Sequence, residues 1–167
     1  MSDPRCRVGL AVERQRPAVF GLDRRPSIGE RELEPTEKVL IVFAMLNLLA
    51  GFVLGVPFAV ERRHKKYAPR YLVAAHIGAL MQGAILLGLV FALRLSRFPY
   101  WLELWAASML ALSSVALVAK DVANWIMKID DEFAERPLPA RVLGATGVLA
   151  GFVGIIILTL GVAAEIL

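Results

Sequence analysis

The stretch YLVAAHIGALMQGAILLGLVFAL, residues 71–93, passes through 23 positions without one Asp, Glu, Lys or Arg. A helix rises about 1.5 Å per residue, so about 20 residues cross the roughly 30 Å hydrocarbon layer of a bilayer. Residues 71–93 are long enough to do so. Three further charge-free gaps follow the same rule, at 39–60, 104–119 and 142–164. The first and last match the length requirement directly, and the third reaches it once its flanks are included. Barrel strands alternate in polarity and are only about 9–11 residues long, whereas these runs are continuously apolar. The chain is therefore expected to be all-α, an integral membrane bundle of four transmembrane helices.

The bulk numbers agree. Of 167 residues, 57% are hydrophobic, against about 45–50% in soluble domains. The formal charge of +4 raises the question of nucleic acid, but the basic residues border apolar spans instead of lining a soluble face. No nucleic-acid partner is expected. Residues 1–36 mix seven arginines with prolines and acids and hold no long apolar run, so they read as a soluble or disordered tail and not as a signal peptide. The transmembrane domain then occupies 37–167. Cys6 is the single cysteine, which excludes an internal disulfide, a Cys-x-x-Cys redox pair and a cysteine-based zinc cluster.

The connections carry their own signals. ERRHKKYAPR, residues 61–70, places five Lys and Arg residues and Pro69 between the first two spans, and reads as an anchor for anionic lipid headgroups. RFPYW, residues 97–101, combines a helix-breaking proline with rings suited to the membrane interface. IDDEFAERPLPAR, residues 129–141, reads as an acidic loop. Basic residues in the first and third connections exceed those on the opposite side by a small margin, which places these two connections on the cytoplasmic side. The pentapeptide LAGFV occurs at 49–53 and again at 149–153. A duplicated hairpin or chance similarity between apolar segments would each produce it. Both copies overlap glycines four apart, Gly51 with Gly55 and Gly147 with Gly151, a spacing that lets helices approach closely within or between subunits.

Because helix direction alternates, the start of the second span and the end of the third lie at one membrane face. His76, five residues after Tyr71, is then level with KDVANW, residues 120–125. Asp121, Asn124 and Lys128 are three and four apart and share a helical face, with Lys120 joined to Asn124 by its own four-residue step. Each intramembrane charge costs about 2.5–3.5 kcal/mol at a helix centre on insertion scales, less when paired. The plainest arrangement pairs Asp121 with Lys120 or Lys128, extends Lys128 to the headgroups and leaves Trp125 in the aromatic belt. An intramembrane histidine either hydrogen-bonds across helices or binds a proton, a metal or haem. Zinc needs three or four ligands and finds only Asp121 nearby, while one histidine suffices for one side of a haem iron. With His64 in a loop, bis-histidine ligation within the spans is excluded.

These residues resemble a known family. Ala75-His76, Met81-Gln82-Gly83 and Ala123-Asn124-Trp125, in four short spans, are similar to the family of styrene oxide isomerase and hydroxylaminobenzene mutase. The resemblance implies haem b, with His76 as the iron ligand, Gln82 orienting a bound oxygen, and Asn124 and Asp121 shaping the substrate side. It implies a membrane enzyme that rearranges a small hydrophobic epoxide or hydroxylaminoarene intramolecularly, with ferric iron as Lewis acid. It also implies a homo-oligomer, such as a trimer, although Gly-x-x-x-Gly spacing serves a dimer equally well. The expected location is a bacterial inner membrane. The family's isomerases carry asparagine at the position of Gln82, tyrosine at that of Lys128 and an acid at that of Lys120. The Ala-Asn-Trp triplet is closer to the mutase branch. The alternative is a non-enzymatic four-helix membrane subunit or haem-binding interaction protein.

Overall fold

A computed structural model of the chain describes residues 33–96 and 98–167. It contains four long helices, α1 (Pro35–His64), α2 (Arg70–Leu95), α3 (Tyr100–Ile126) and α5 (Leu138–Ile166), and one short helix, α4 (Glu132–Glu135). All four long helices have the length and hydropathy to cross a membrane, so the all-α transmembrane architecture holds. Residues 1–32 of the expected tail, Cys6 among them, lie outside the described residues.

The helix boundaries come from local chemistry. α2, α3 and α5 each start directly after a proline, Pro69, Pro99 and Pro137. Proline disfavours helical geometry in the residue before it, which separates each helix from the preceding connection. α1 starts with Pro35 in its first turn, where the Glu37 carboxylate accepts from the Glu34 N–H at 3.1 Å. At its other end α1 continues through Glu61–His64, one turn beyond the expected stop. Exposed basic side chains in the last turn suit the negative end of the helix dipole and the headgroup layer, so charge alone does not end a helix there. The acidic loop contains one more helical turn than expected. Asp131 caps α4 by accepting from the Phe133 N–H at 2.9 Å.

α3 ends in a hydrogen-bonded reversal. The Ile129 N–H donates to the Asn124 carbonyl and the Lys128 N–H to that of Trp125, both at 3.1 Å, while Lys128 has φ 54°. This closes orphan carbonyls of the last turn, with lysine in a left-handed position that glycine usually fills. The expected stripe Asp121–Asn124–Lys128 is thereby shortened. Lys128 lies beyond the helix and is exposed, so it does not continue the face.

α1 packs antiparallel on α2, and α3 on α5; the two hairpins join mainly through α3, which meets both α1 and α2. α3 has the lowest mean hydropathy of the four spans, 1.8, and the greatest share of its apolar window covered, 44% against 22–28% for the others. The span richest in polar groups is the one most withdrawn from lipid. The repeated glycines lie in the seams inside the hairpins. A Cβ on Gly51 would meet the Leu80 side chain at 2.6 Å, and one on Gly147 would meet that of Leu117 at 2.8 Å. The Gly-x-x-x-Gly pairs are thus used within the chain. The LAGFV copies occupy the first helix of one hairpin and the second helix of the other. Duplication of a hairpin would place both in equivalent helices, so the shared pentapeptide reflects a shared need for close packing.

Candidate functional site

His76 faces α1. Its Nδ1 lies 2.8 Å from the Gly51 carbonyl oxygen, and its ring stacks on Phe58 at 5.5 Å between centroids and 14° between planes. A carbonyl oxygen only accepts, so Nδ1 carries the hydrogen and the neutral ring keeps its lone pair on Nε2. The glycine seam makes this possible. A Cβ on Gly55 would stand 3.2 Å from His76 Cε1, so a larger residue there would crowd the ring. Metal-binding histidines commonly have this outer arrangement, with the remote nitrogen fixed by a backbone carbonyl. Among the described residues no group of three His, Cys, Asp or Glu side chains could hold a bare metal ion. His76 therefore stands without a second such side chain beside it and offers a single ring nitrogen.

Gln82 projects from another face of α2. It lines a cavity of about 220 Å³ between α2 and α3, together with Gly78, Leu117, Val118, Lys120 and Asp121. Lys120 Nζ is 3.1 Å from Asp121 Oδ1, which realises one of the two pairings expected for Asp121. The cavity wall is shared between one carboxamide, one ion pair and the aliphatic side chains of Leu117 and Val118. The sequence-predicted residues Gln82 and Asp121 meet here. His76 does not line this cavity.

Asn124 is fully buried and is engaged by a residue that sequence reasoning missed. Its Nδ2 donates to Glu132 Oε2 at 3.0 Å, and the same oxygen accepts from Lys120 Nζ at 3.2 Å. The Glu132 backbone N–H donates to the Tyr71 hydroxyl at 3.0 Å. The short helix α4 is thus tied to both α2 and α3, and it closes the polar cluster from the loop side. Asn124 Oδ1 has no hydrogen-bond partner, which leaves one buried acceptor at the edge of the cluster. Nothing in the sequence separates Glu132 from Asp130, Asp131 and Glu135 as the acid that turns inward.

Two other polar contacts were also missed. Asn47, buried in the middle of α1, donates to the Phe43 carbonyl at 2.8 Å and to Ser114 Oγ at 3.1 Å across the α1–α3 contact, while Ser114 donates to the Ala111 carbonyl. An asparagine inside a charge-free span is a readable signal, since lone polar groups in lipid seek interhelical partners. At the opposite membrane face Arg94 holds Glu37 through two hydrogen bonds, 2.7 and 3.4 Å, tying the end of α2 to the start of α1. Its signal was an acid and a base at the same expected depth.

Comparison with protein-family models, with characterised proteins and with solved structures returns no match.

Proposed function

We propose that this membrane protein is an intramolecular isomerase or mutase acting on a small hydrophobic epoxide or hydroxylaminoarene, in which His76 would hold the iron of a haem b. The observation that carries the reading is the His76 hydrogen bond. With Nδ1–H committed to the Gly51 carbonyl, Nε2 is the nitrogen available to a metal, and the backbone partner strengthens it as a ligand. The donor chemistry fits haem iron. When bound, ferric haem would supply a Lewis-acidic centre toward an oxygen of the substrate.

The chain's own residues supply binding and orientation. Gln82 offers a carboxamide that both donates and accepts, and it faces the Lys120–Asp121 pair across the cavity. An apolar ring packs on Leu117 and Val118 with its polar substituent toward these groups, so the cavity serves to hold substrate on a face of α2 other than the one that carries His76. Asn124 supports the site indirectly, by fixing Glu132 and through it Lys120. This differs from direct substrate contact. A hydrophobic substrate enters from the lipid, and the protein resides in a bacterial inner membrane as a homo-oligomer, for which a trimer is the arrangement tested first. Because the glycine seams are filled within the chain, oligomer contacts use the outward helix faces.

The test is an absorption spectrum of protein produced with ample haem, followed by an assay for rearrangement of an aryl epoxide and of a hydroxylaminoarene. The expected result is a Soret band that His76→Ala removes, with Gln82→Ala keeping the band and slowing turnover. A colourless wild-type protein, or an unchanged band in His76→Ala, overturns the haem reading.

A second reading draws on a different observation. Asn124, Lys120 and Asp121 all have internal partners, an arrangement that serves helix packing without any substrate. On this reading the chain is a non-enzymatic membrane subunit or haem-binding interaction protein. Absence of turnover in an intact, correctly assembled protein supports it.

A further inference from the structure

A second polar cavity, of about 430 Å³, opens at the membrane face where the α1–α2 connection meets the end of α3. Its wall includes Lys65, Arg70, Lys128, Glu61, Asp130 and Trp125. Glu61 is matched by Lys65 at 2.8 Å. Among the described residues neither Arg70 nor Lys128 forms an ion pair. Three cations against two acids leave the cavity one positive charge in excess, the complement of a singly charged phosphodiester.

Position and shape narrow the ligand. Arg70 is the first residue of α2, and Lys128 lies two residues past the end of α3, so the cations stand at headgroup level and outside the hydrocarbon. Arg70 is steadied over the Tyr71 ring, 5.6 Å from its centroid. Lys128 is held at the wall by the left-handed reversal that ends α3. A lysine at that backbone position is disfavoured relative to glycine, yet it is what aims a cation here. Ile126, also in the wall, is 68% exposed and gives an acyl chain an apolar surface beside the charges. Trp125 adds an indole N–H of the kind that settles at the headgroup boundary.

We infer that this cavity is a specific binding site for the phosphodiester headgroup of an anionic phospholipid, with Arg70 and Lys128 as the phosphate-binding residues. The site is separate from the Gln82 cavity and does not depend on haem or turnover. It is also distinct from diffuse attraction by the basic connection, because the exposed Arg62 and Arg63 do not line it.

The experiment is native mass spectrometry of the full-length protein in detergent, titrated with dioleoylphosphatidylglycerol and, in parallel, dioleoylphosphatidylcholine. Wild-type protein should retain phosphatidylglycerol preferentially. At about one kcal/mol per basic side chain near a lipid surface, Arg70→Gln/Lys128→Gln should weaken that binding about 30-fold. Arg62→Gln/Arg63→Gln removes the same charge outside the cavity and should weaken it by less than about threefold. Circular dichroism checks that each variant keeps its helix content, and Lys128→Arg, which preserves the charge, should keep the wild-type preference. Equal weakening in the two double variants shows diffuse attraction and overturns the site. Displacement of the lipid by an equal concentration of free glycerol phosphate assigns the cavity to soluble phosphates and overturns the lipid assignment.

Discussion

Replacing Glu132 by alanine tests whether the loop helix α4 locks the polar end of the bundle. The carboxylate is mostly buried, at 16% side-chain exposure, and it accepts from Asn124 Nδ2 at 3.0 Å and Lys120 Nζ at 3.2 Å. Losing it leaves the Asn124 amide, already without a partner for Oδ1, with an orphaned N–H at a fully buried position. Orphaning a buried donor costs about 1–3 kcal/mol. The lost Lys120 pairing adds no more than about 1 kcal/mol, because Lys120 keeps Asp121 at 3.1 Å and is partly exposed. The expected loss is about 1–4 kcal/mol. The hydrogen bond from the residue-132 N–H to Tyr71 survives the change, so α4 stays attached and the effect isolates the side chain. The assay is a dodecyl sulfate titration in mixed micelles followed by far-ultraviolet circular dichroism. In an Asn124→Leu background the orphan no longer exists, so the same Glu132→Ala change should cost less than about 1 kcal/mol. A loss below about 0.5 kcal/mol in the wild-type background, or an equal loss in both backgrounds, would refute the network.

Gly83→Ala should destabilise the α1–α2 hairpin by about 1–3 kcal/mol in the same titration, since the new methyl would lie 2.9 Å from the Ala44 carbonyl oxygen and 2.7 Å from Leu48 Cγ. Gly78→Ala, where a Cβ meets nothing within 4 Å, should leave the midpoint unchanged or raise it. Asn47→Leu removes the only hydrogen bond described between α1 and Ser114; the expected loss is about 0.6 kcal/mol and no more than about 2 kcal/mol, typical of interhelical hydrogen bonds in bilayers. With α1 and α5 in opposite directions across four spans, cysteines introduced at Leu33 and Leu167 in a Cys6→Ser background should react with an impermeant maleimide from one side of the membrane; labelling from opposite sides would contradict the topology.

The spans were legible because lipid imposes one coarse rule, the exclusion of charge over about 20 residues, and residues 71–93 or 142–164 satisfy it without tertiary information. The ends were less legible. Charge stops a span but not a helix, so α1 runs on through Arg62 and Arg63 into the headgroup layer. For the site, four-residue spacing placed Lys120, Asp121 and Asn124 together, because that spacing is a property of the helix itself. It overextended the face to Lys128, where the backbone reverses. Level depth brought His76 near the cluster along the bundle axis but did not give its rotation about α2. The structure points its ring at Gly51 in α1, while Gln82 opens toward α3. Glu132 was hidden because which of four nearby acids turns inward depends on how the loop docks.

The central position of α3 bears on the order in which the protein is made. Synthesis proceeds from the N-terminus, so α3 enters the bilayer when α1 and α2 are already there and before α5 can cover it. Its Lys120 is already paired with Asp121, and Asn47 of α1 already offers a hydrogen bond to Ser114. Glu132 emerges a few residues later and completes the ties of Lys120 and Asn124. A chain truncated after Lys128 would lack both Glu132 and α5, leaving its least apolar span half covered in lipid. Such a fragment is a natural target for membrane proteases, whereas one that extends past Arg136 retains the carboxylate and should survive longer in the cell.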